Sequence, residues 1–248
     1  MMSKLSEALA LKTAPVAVIL TDERPDGAVQ FKEGARGCVA ALMLTATKGG
    51  TAIFDRKTFG CPGGGTGLGF GNCYGGFPID RLLSTGGQAV LPNGYPFDMG
   101  EGERFFESPE VTERWVGALP YRNLPTEYIL FKPLDKVAEQ EQVSLVMMLV
   151  NADQLSALVT LAGFRRGTIE NAICPWGAAC QSVMFSLAEA ERETPRGVIG
   201  FFDISQRNRV GRDTLSFTMP LRMYLEMESG VEGSFLRTEA WQKLRERA

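Results

Sequence analysis

The chain has 248 residues, of which 44% are hydrophobic and 22% charged, and its 26 basic and 29 acidic side chains leave a net charge of −3. This composition is typical of a globular protein with a sizeable core, and the acidic balance argues against a nucleic-acid-binding surface. The chain contains no histidine, which excludes Ser-His-Asp and Cys-His catalysis, histidine-ligated metal sites and haem with a histidine ligand.

The hydrophobic pattern predicts strands and helices that are mixed along the chain. In chain order, we predict a helix over 6–12, a strand over 15–20, a helix over 39–46, a strand over 51–54, a helix over 112–119, strands over 127–131 and 143–150, helices over 152–162 and 180–193, strands over 198–202 and 214–217, and helices over 220–228 and 235–247. Two glycine-rich stretches, 60–76 and 86–102, are predicted to be loops. Because strands and helices do not alternate strictly, the pattern favours an α+β fold, with a mixed sheet and surrounding helices, over a doubly wound sheet.

We expect residues 1–248 to form a single compact domain, and a weak internal repeat suggests two related halves. The stretch from Cys38 through a helix to the strand over 51–54 has the same order of features as the stretch from Cys180 through its helix to the strand over 198–202. Few residues are identical between the two stretches, so duplication is a hypothesis.

The first residues of the chain predict no targeting segment. They include the acidic Glu7 and lack an apolar stretch of about 7–15 residues followed by a cleavage site. The longest apolar run, 143–150, is far shorter than the roughly 20 residues that span a bilayer. We therefore expect a cytoplasmic protein without a membrane partner.

Five cysteines are the main candidates for chemistry in a chain without histidine: Cys38, Cys61, Cys73, Cys174 and Cys180. Their odd number and low density argue against a disulfide framework, so they are core residues, reactive thiols or metal ligands. A [4Fe–4S] cluster or an all-thiolate zinc site would need four of them. The spacings of 23, 12, 101 and 6 residues contain no C-x-x-C pair and match no standard ferredoxin or zinc-ribbon pattern. The residues alone leave all three interpretations open.

The stretch 60–76 has nine glycines among 17 residues. It contains neither the Gly-Lys-Ser/Thr of a P-loop nor a G-x-G-x-x-G pattern, although its backbone amides could still bind a small anion. Alternatively, glycines let the backbone approach an Fe–S cluster closely and donate hydrogen bonds to its sulfur atoms. On that interpretation the cofactor-binding glycines are Gly63, Gly64, Gly65 and Gly67.

Together these features resemble the DUF169 family of uncharacterised, ArCR-type bacterial and archaeal proteins over most of the chain. The features that carry the resemblance are Ala14-Pro15-Val16-Ala17-Val18, Cys38 ahead of a helix, Cys61-Pro62-Gly63-Gly64 leading to Gly67-Leu68-Gly69, Cys174, and the stretch 197–220, which ends in Thr218-Met219-Pro220. The resemblance implies no general activity. It implies recurring cysteines, matched here by Cys38, Cys61 and Cys174, and we add Cys73 because it lies in the same glycine-rich stretch as Cys61. Cys180 is interpreted as a core residue, because it opens a helix of small residues.

These observations lead to three hypotheses. The first is an iron–sulfur cluster, [4Fe–4S], or zinc as the second choice, on Cys38, Cys61, Cys73 and Cys174, with a role in electron transfer, redox chemistry or sensing. Its partner would be a small molecule or a redox protein. The second is a protein that binds a small anion or another ligand, has structural cysteines and holds no metal. The third is a thiol enzyme with Cys38 or Cys61 as its nucleophile, so the sequence leaves open whether the protein is an enzyme.

Two further patterns have both a structural and a functional interpretation. The turn over 207–212 contains three arginines and could bind a carboxylate or phosphate, but a solvated surface turn is the simpler interpretation. Met219, Met223 and Met227 would form one stripe on a helix. Such a stripe is typical of core packing or of a contact in a homo-oligomer.

Overall fold

One mixed sheet of seven strands organises the computed structural model, which describes residues 3–247. The strands of the chain are β1 (Val16–Thr21), β2 (Ala52–Phe54), β3 (Gln88–Val90), β4 (Pro96–Asp98), β5 (Tyr128–Pro133), β6 (Val143–Val150), β7 (Ala172–Ile173), β8 (Gly197–Gly200) and β9 (Leu215–Pro220). The order across the large sheet is β2-β5-β1-β6-β9-β8-β7, while β3 and β4 pair in a separate hairpin. Neighbours in the large sheet are antiparallel, except that β7 and β8 are parallel.

Helices cover both faces of this sheet. They are α1 (Lys4–Ala8), α2 (Val39–Met43), α3 (Pro62–Leu68), α4 (Ile79–Leu82), α5 (Pro109–Ala118), α6 (Ala152–Ala162), α7 (Gln181–Ala190), α8 (Leu221–Gly230) and α9 (Glu239–Arg245). Along β6, Leu145 and Met147 pack in a core with α2, α3 and α7, whereas Val146 and Met148 pack in a core with α1, α6, α8 and α9. Because successive side chains of a strand point to opposite faces, the apolar run over 145–150 in β6 is buried on both sides.

The predicted α+β class is confirmed. The predicted strand over 143–150 and helix over 152–162 coincide with β6 and α6, and a capping box of Asn151 and Gln154 begins α6. The predicted loop over 86–102 contains the β3–β4 hairpin. The predicted helical stripe of methionines is wrong in one member, because Met219 lies in β9 and only Met223 and Met227 lie on α8; all three are buried in the core on the α8 side of the sheet. Within residues 3–247, no helix is long and apolar enough to cross a membrane.

The strand order is the one expected of two related halves. Counted outward from the centre of the sheet, one half has β1, β5 and β2, and the other has β6, β9 and β8. In each half, therefore, the first strand is central, the last strand pairs with it, and the middle strand lies outermost. Strand β7 extends the second half only. Cys38 precedes α2 and β2, and Cys180 precedes α7 and β8, so these two cysteines occupy corresponding places.

Candidate functional site

A cavity of about 710 Å³ lies among the N-terminal ends of α2, α3 and α7. Most of its lining is apolar, and six aromatic side chains contribute: Phe59, Tyr74, Phe77, Phe105, Trp115 and Trp176. The charged residues that reach it are Arg36, Lys57, Glu103 and Asp203. A concave volume of several hundred Å³ with an apolar wall and a few polar groups is the usual form of a small-molecule site. We refer to it below as the thiol cavity.

Three cysteines line this cavity, and each is the N-cap residue of a different helix: Cys38 of α2, Cys61 of α3 and Cys180 of α7. The Cys38 thiol donates to Oε1 of Gln206, with 2.8 Å between sulfur and oxygen. The sulfur of Cys61 accepts from the backbone N–H of Gly64 at 3.2 Å. The buried Cys180 thiol donates to the carbonyl oxygen of Gly63 at 3.6 Å.

Two opposing effects act on the thiols at these helix N-termini. The helix dipole and free N–H groups favour a thiolate, whereas removal from water favours the neutral thiol. At Cys61 burial raises the pKa of the thiol, although the N–H groups of Gly64 and Gly63 counteract part of that increase. Burial raises the pKa of Cys180 well above its ordinary value, and the nearby Cys61 and Cys38 raise it further. Desolvation is the larger effect, so both thiols are protonated at neutral pH.

Cys61 combines solvent access with a raised pKa. Its side chain is exposed to solvent through the cavity. The surrounding apolar walls nevertheless desolvate its sulfur and raise the pKa of the thiol. A small electrophile can therefore reach Cys61, but at neutral pH it meets a thiol rather than a thiolate.

The prediction that the whole stretch 60–76 is a loop is wrong, because residues 62–68 form α3. Pro62 occupies the first turn, where its missing N–H costs no hydrogen bond. Four of the seven residues of this helix are glycines, which disfavour a helix on propensity alone. Packing overrides that propensity, as the surroundings of the individual glycines show.

Three of the glycines predicted to bind a cofactor allow close helix packing. A Cβ atom at Gly64 would lie 2.4 Å from Cγ2 of Val39. One at Gly65 would lie 2.8 Å from the sulfur of Cys73. At Gly67 a Cβ atom would lie 2.9 Å from the carbonyl carbon of Cys180 and from the backbone nitrogen of Gln181. Glycine at positions 64 and 67 lets α3 approach α2 and the start of α7 closely, and glycine at position 65 leaves room for the side chain of Cys73.

Gly63 differs from these three glycines. A Cβ atom there would have no neighbouring atom within 4 Å, and the residue lines the thiol cavity. Gly64 lines it too, whereas Gly65 and Gly67 are buried and lie outside the lining. Of the four predicted cofactor-binding glycines, therefore, Gly63 only lines the cavity, Gly64 lines it and also packs against α2, and Gly65 and Gly67 only serve packing.

The structure brings together two of the four cysteines predicted to form a metal site. Cys38 and Cys61 line the cavity, whereas Cys73 packs against Gly65 and the exposed Cys174 lies outside the lining. Cys180, predicted to be a core residue, is indeed buried, but it also lines the cavity. In the described part of the chain, no three or more Cys, Asp or Glu side chains form a group that could hold a metal ion. This arrangement does not fit a [4Fe–4S] cluster or a four-thiolate zinc site.

Sequence reasoning missed Gln181 and Asp203, two polar residues that line the cavity. Gln181 accepts from the backbone N–H of Ala178 at 2.6 Å and donates to the hydroxyl of Tyr74 at 3.3 Å. Burial raises the pKa of Tyr74, so its hydroxyl is neutral. Asp203 is only 7% exposed and accepts from the N–H and hydroxyl groups of Ser205. No local sequence signal marks these residues, because the topology of the sheet brings them together.

The aromatic wall belongs to a larger cluster beside the cavity. Phe105, Phe106 and Trp115 pack around Trp176, with ring centroids 5.3, 5.0 and 5.2 Å from that of Trp176. Nε1 of Trp115 also donates to the carbonyl oxygen of Trp176 at 3.2 Å. Edge-to-face contacts of this kind fix ring positions. They present a preformed aromatic surface to the cavity.

Comparison with known proteins gives a family and no characterised relative. A family model for DUF169, described as "Uncharacterised ArCR", matches residues 4–230 and confirms the predicted resemblance. No curated protein and no solved structure gives a significant match.

Proposed function

The chain belongs to the DUF169 family, and we propose that it binds a small, uncharged aromatic molecule in the thiol cavity. The observation that carries this proposal is the lining, in which an aromatic wall and cysteine side chains surround a volume of about 710 Å³. Pockets of about 300–1,000 Å³ with mostly apolar walls are typical of small-molecule sites. This is the ligand-binding hypothesis, with an uncharged aromatic ligand in place of an anion.

The polar groups of the cavity favour an uncharged ligand. The Cys61 and Cys180 thiols are protonated because burial raises their pKa values. The amide of Gln206 can offer hydrogen bonds to a carbonyl or hydroxyl group of a ligand but no net charge. Two basic residues, Arg36 and Lys57, and two acidic residues, Glu103 and Asp203, reach the cavity, so its lining has no excess of either charge with which to favour an ionic ligand.

A nucleophilic role for Cys38 or Cys61 is less well supported. A cysteine nucleophile needs a lowered thiol pKa or a neighbouring general base. The pKa of Cys61 is raised, and the hydrogen-bond acceptor of the Cys38 thiol is the amide oxygen of Gln206, which is not a useful base. The third hypothesis therefore ranks below ligand binding.

Fluorescence titration with N-phenyl-1-naphthylamine, an uncharged aromatic dye, tests the proposal. Because Trp115 and Trp176 line the cavity, we expect saturable 1:1 binding with quenching of tryptophan emission. Gly63→Leu should weaken dye binding by about tenfold or more, because its side chain enters open cavity space and displaces the dye.

Gly117→Leu is the matched control. Gly117 is a helical glycine with no atom within 4 Å of an added Cβ, and it lies outside the cavity lining. This variant should bind the dye like the natural chain, and thermal melts should show all three proteins folded. Absence of saturable binding, or equal binding by Gly63→Leu and the natural chain, would overturn the proposal.

The cysteine-bound metal centre stays a prediction that ranks below ligand binding: Cys38, Cys61 and Cys180 line one cavity, but the described residues contain no group of three or more Cys, Asp or Glu side chains placed to hold a metal ion. Anaerobic purification followed by iron, acid-labile sulfide and zinc assays tests it. Near-stoichiometric metal that is lost in both Cys38→Ser and Cys61→Ser would establish this candidate. Metal that persists in both variants, or a metal-free preparation that still binds the dye, would reject it in favour of ligand binding.

A further inference from the structure

A second cavity, of about 810 Å³, has a strongly basic lining. Five basic side chains reach it, Lys12, Lys48, Arg209, Arg212 and Arg247, against one acidic side chain, Asp213. The whole chain has a net charge of −3. The basic lining is thus a local concentration of positive charge and does not reflect the overall composition.

The basic residues reach this cavity from separate parts of the chain. Lys12 follows α1, Lys48 ends a 3-10 turn after α2, and Arg247 follows α9, while the other two belong to the turn over 207–212. Hydroxyl and amide side chains complete the polar lining: Thr13, Thr47, Asn151, Gln154, Asn208 and Thr214. Basic side chains from four segments of the chain line one cavity. The interpretation of the turn over 207–212 as a solvated surface turn does not explain this arrangement.

Several of these cations have no protein partner. Arg247 forms an ion pair with Asp153 at 3.0 Å, and Nε of Arg209 donates to Oε1 of Gln206 at 2.5 Å. Across residues 3–247, the side chains of Lys12, Lys48 and Arg212 take part in no salt bridge or hydrogen bond. At least three positive charges therefore face the cavity uncompensated.

Arg207 stabilises the conformation in which the turn over 207–212 places its other two arginines at the cavity. Its guanidinium donates to the carbonyl oxygens of Phe201, Thr214, Gly211 and Arg212. Arg207 therefore stabilises the turn through hydrogen bonds to its backbone, and it does not line the cavity. The three arginines of this turn divide into one that holds its shape and two that face the cavity.

We propose that this basic cavity binds an oligophosphate group, either as free inorganic di- or triphosphate or as part of a small organic molecule. Guanidinium and ammonium groups are the usual partners of phosphate oxygens, and an anion with several charges can engage cations from more than one segment. The site is separate from the thiol cavity and does not depend on the function proposed for it.

Isothermal titration calorimetry with sodium tripolyphosphate at low ionic strength tests the proposal. We expect 1:1 binding, and weaker binding of pyrophosphate and of orthophosphate in that order. The double variant Lys48→Gln/Arg212→Gln should bind tripolyphosphate about tenfold or more weakly, because two uncompensated cations are removed. Both side chains are exposed, so the variant should keep its melting temperature.

Arg24→Gln/Lys32→Gln is the control, because it removes the same charge from exposed positions outside both cavities. It should bind tripolyphosphate like the natural chain. No detectable binding, or equal weakening in the two double variants, would overturn the proposal. ATP that binds more tightly than tripolyphosphate would identify an organic ligand, and equal affinities would identify the phosphates alone as the recognised group.

Dye binding separates this proposal from the function proposed for the thiol cavity. The Lys48→Gln/Arg212→Gln variant should bind N-phenyl-1-naphthylamine normally, because neither residue lines that cavity. If the natural chain did not bind the dye, the function proposed for the thiol cavity would be contradicted and the oligophosphate proposal would be unaffected.

Discussion

The two cavities have similar volumes, about 710 and 810 Å³, but are built in opposite ways. Both cavities contact α2 and the 3-10 helix over 204–209, yet one is lined by thiols and aromatic rings and the other by basic side chains. The thiol cavity depends on close backbone packing among three helices. The basic cavity depends on charges at the ends of loops and helices. Substitutions that disturb packing should therefore affect the first, and salt should affect the second.

The largest expected effect is a loss of stability on substitution of Gly67, the glycine through which α3 packs against the start of α7. In Gly67→Ala the added Cβ would lie 2.9 Å from two backbone atoms, which cannot move as a flexible side chain would. We expect a loss of about 1–3 kcal/mol in the free energy of unfolding, measured by urea denaturation, with weaker dye binding.

Gly63→Ala is the control within the same helix. Its Cβ meets open space, and alanine favours a helix over glycine by about 0.5–1 kcal/mol, so this variant should be as stable as the natural chain or more stable. If both variants lost stability equally, the assignment of Gly67 to close packing would be wrong.

Salt should weaken ligand binding at the basic cavity far more than at the thiol cavity. Between about 0.1 M and 1 M NaCl the Debye length falls from about 10 Å to about 3 Å, so exposed charges are strongly screened. We expect tripolyphosphate affinity to fall by about tenfold or more over this range, and dye affinity to change by less than about twofold. Calorimetry and fluorescence on the same preparation measure the two effects. A parallel loss of both affinities would show that the contrast between the cavities is false.

The smallest effect is a shift in the pH dependence of cysteine alkylation. Because burial raises the pKa of Cys61 above 9.0, its ordinary value, its reaction with iodoacetamide should reach half its maximal rate at a higher pH in the folded chain than in urea. Peptide mapping by mass spectrometry follows Cys61 separately from the other cysteines. A midpoint lower in the folded chain would indicate a stabilised thiolate and support the thiol-enzyme hypothesis.

The same thiols give stability a defined pH dependence. Their pKa values are raised in the folded state, so folding favours the protonated forms. The resulting contribution to stability is complete below the unfolded pKa, near 9.0, and is lost as pH rises through the folded values. The free energy of unfolding should accordingly fall above about pH 9.

Local signals account for the elements that sequence analysis predicted well. The apolar run 143–150 and the capping box at Asn151 mark β6 and α6 without any knowledge of their surroundings. Helix α3 could not be predicted in this way, because its glycines disfavour a helix and only contacts with α2 and α7 explain them. Propensity is a weak guide where packing decides.

The site was harder to predict because its residues are distant in sequence. The resemblance pointed to Cys38, Cys61 and Cys174, of which the first two line the thiol cavity and the third does not. Cys73 was chosen for its nearness to Cys61 in sequence and packs outside the cavity. The internal repeat could have identified Cys180 as a site residue, since it corresponds to Cys38. The small-residue helix that follows Cys180 indicated a core position instead. The basic cavity could not be inferred from the turn over 207–212 alone, because the lysines that also line this cavity lie far from the turn in sequence.

The two outer strands of the sheet determine how copies of this chain can associate. Strand β7 has two residues and β2 has three, and the outer side of β2 is already paired, since Val29 exchanges backbone hydrogen bonds with Thr51 and Ile53. Short or covered edges offer few free backbone groups to a second chain and so protect against edge-to-edge aggregation. A homo-oligomer of this chain would therefore have to form through side-chain surfaces and not by extension of the sheet.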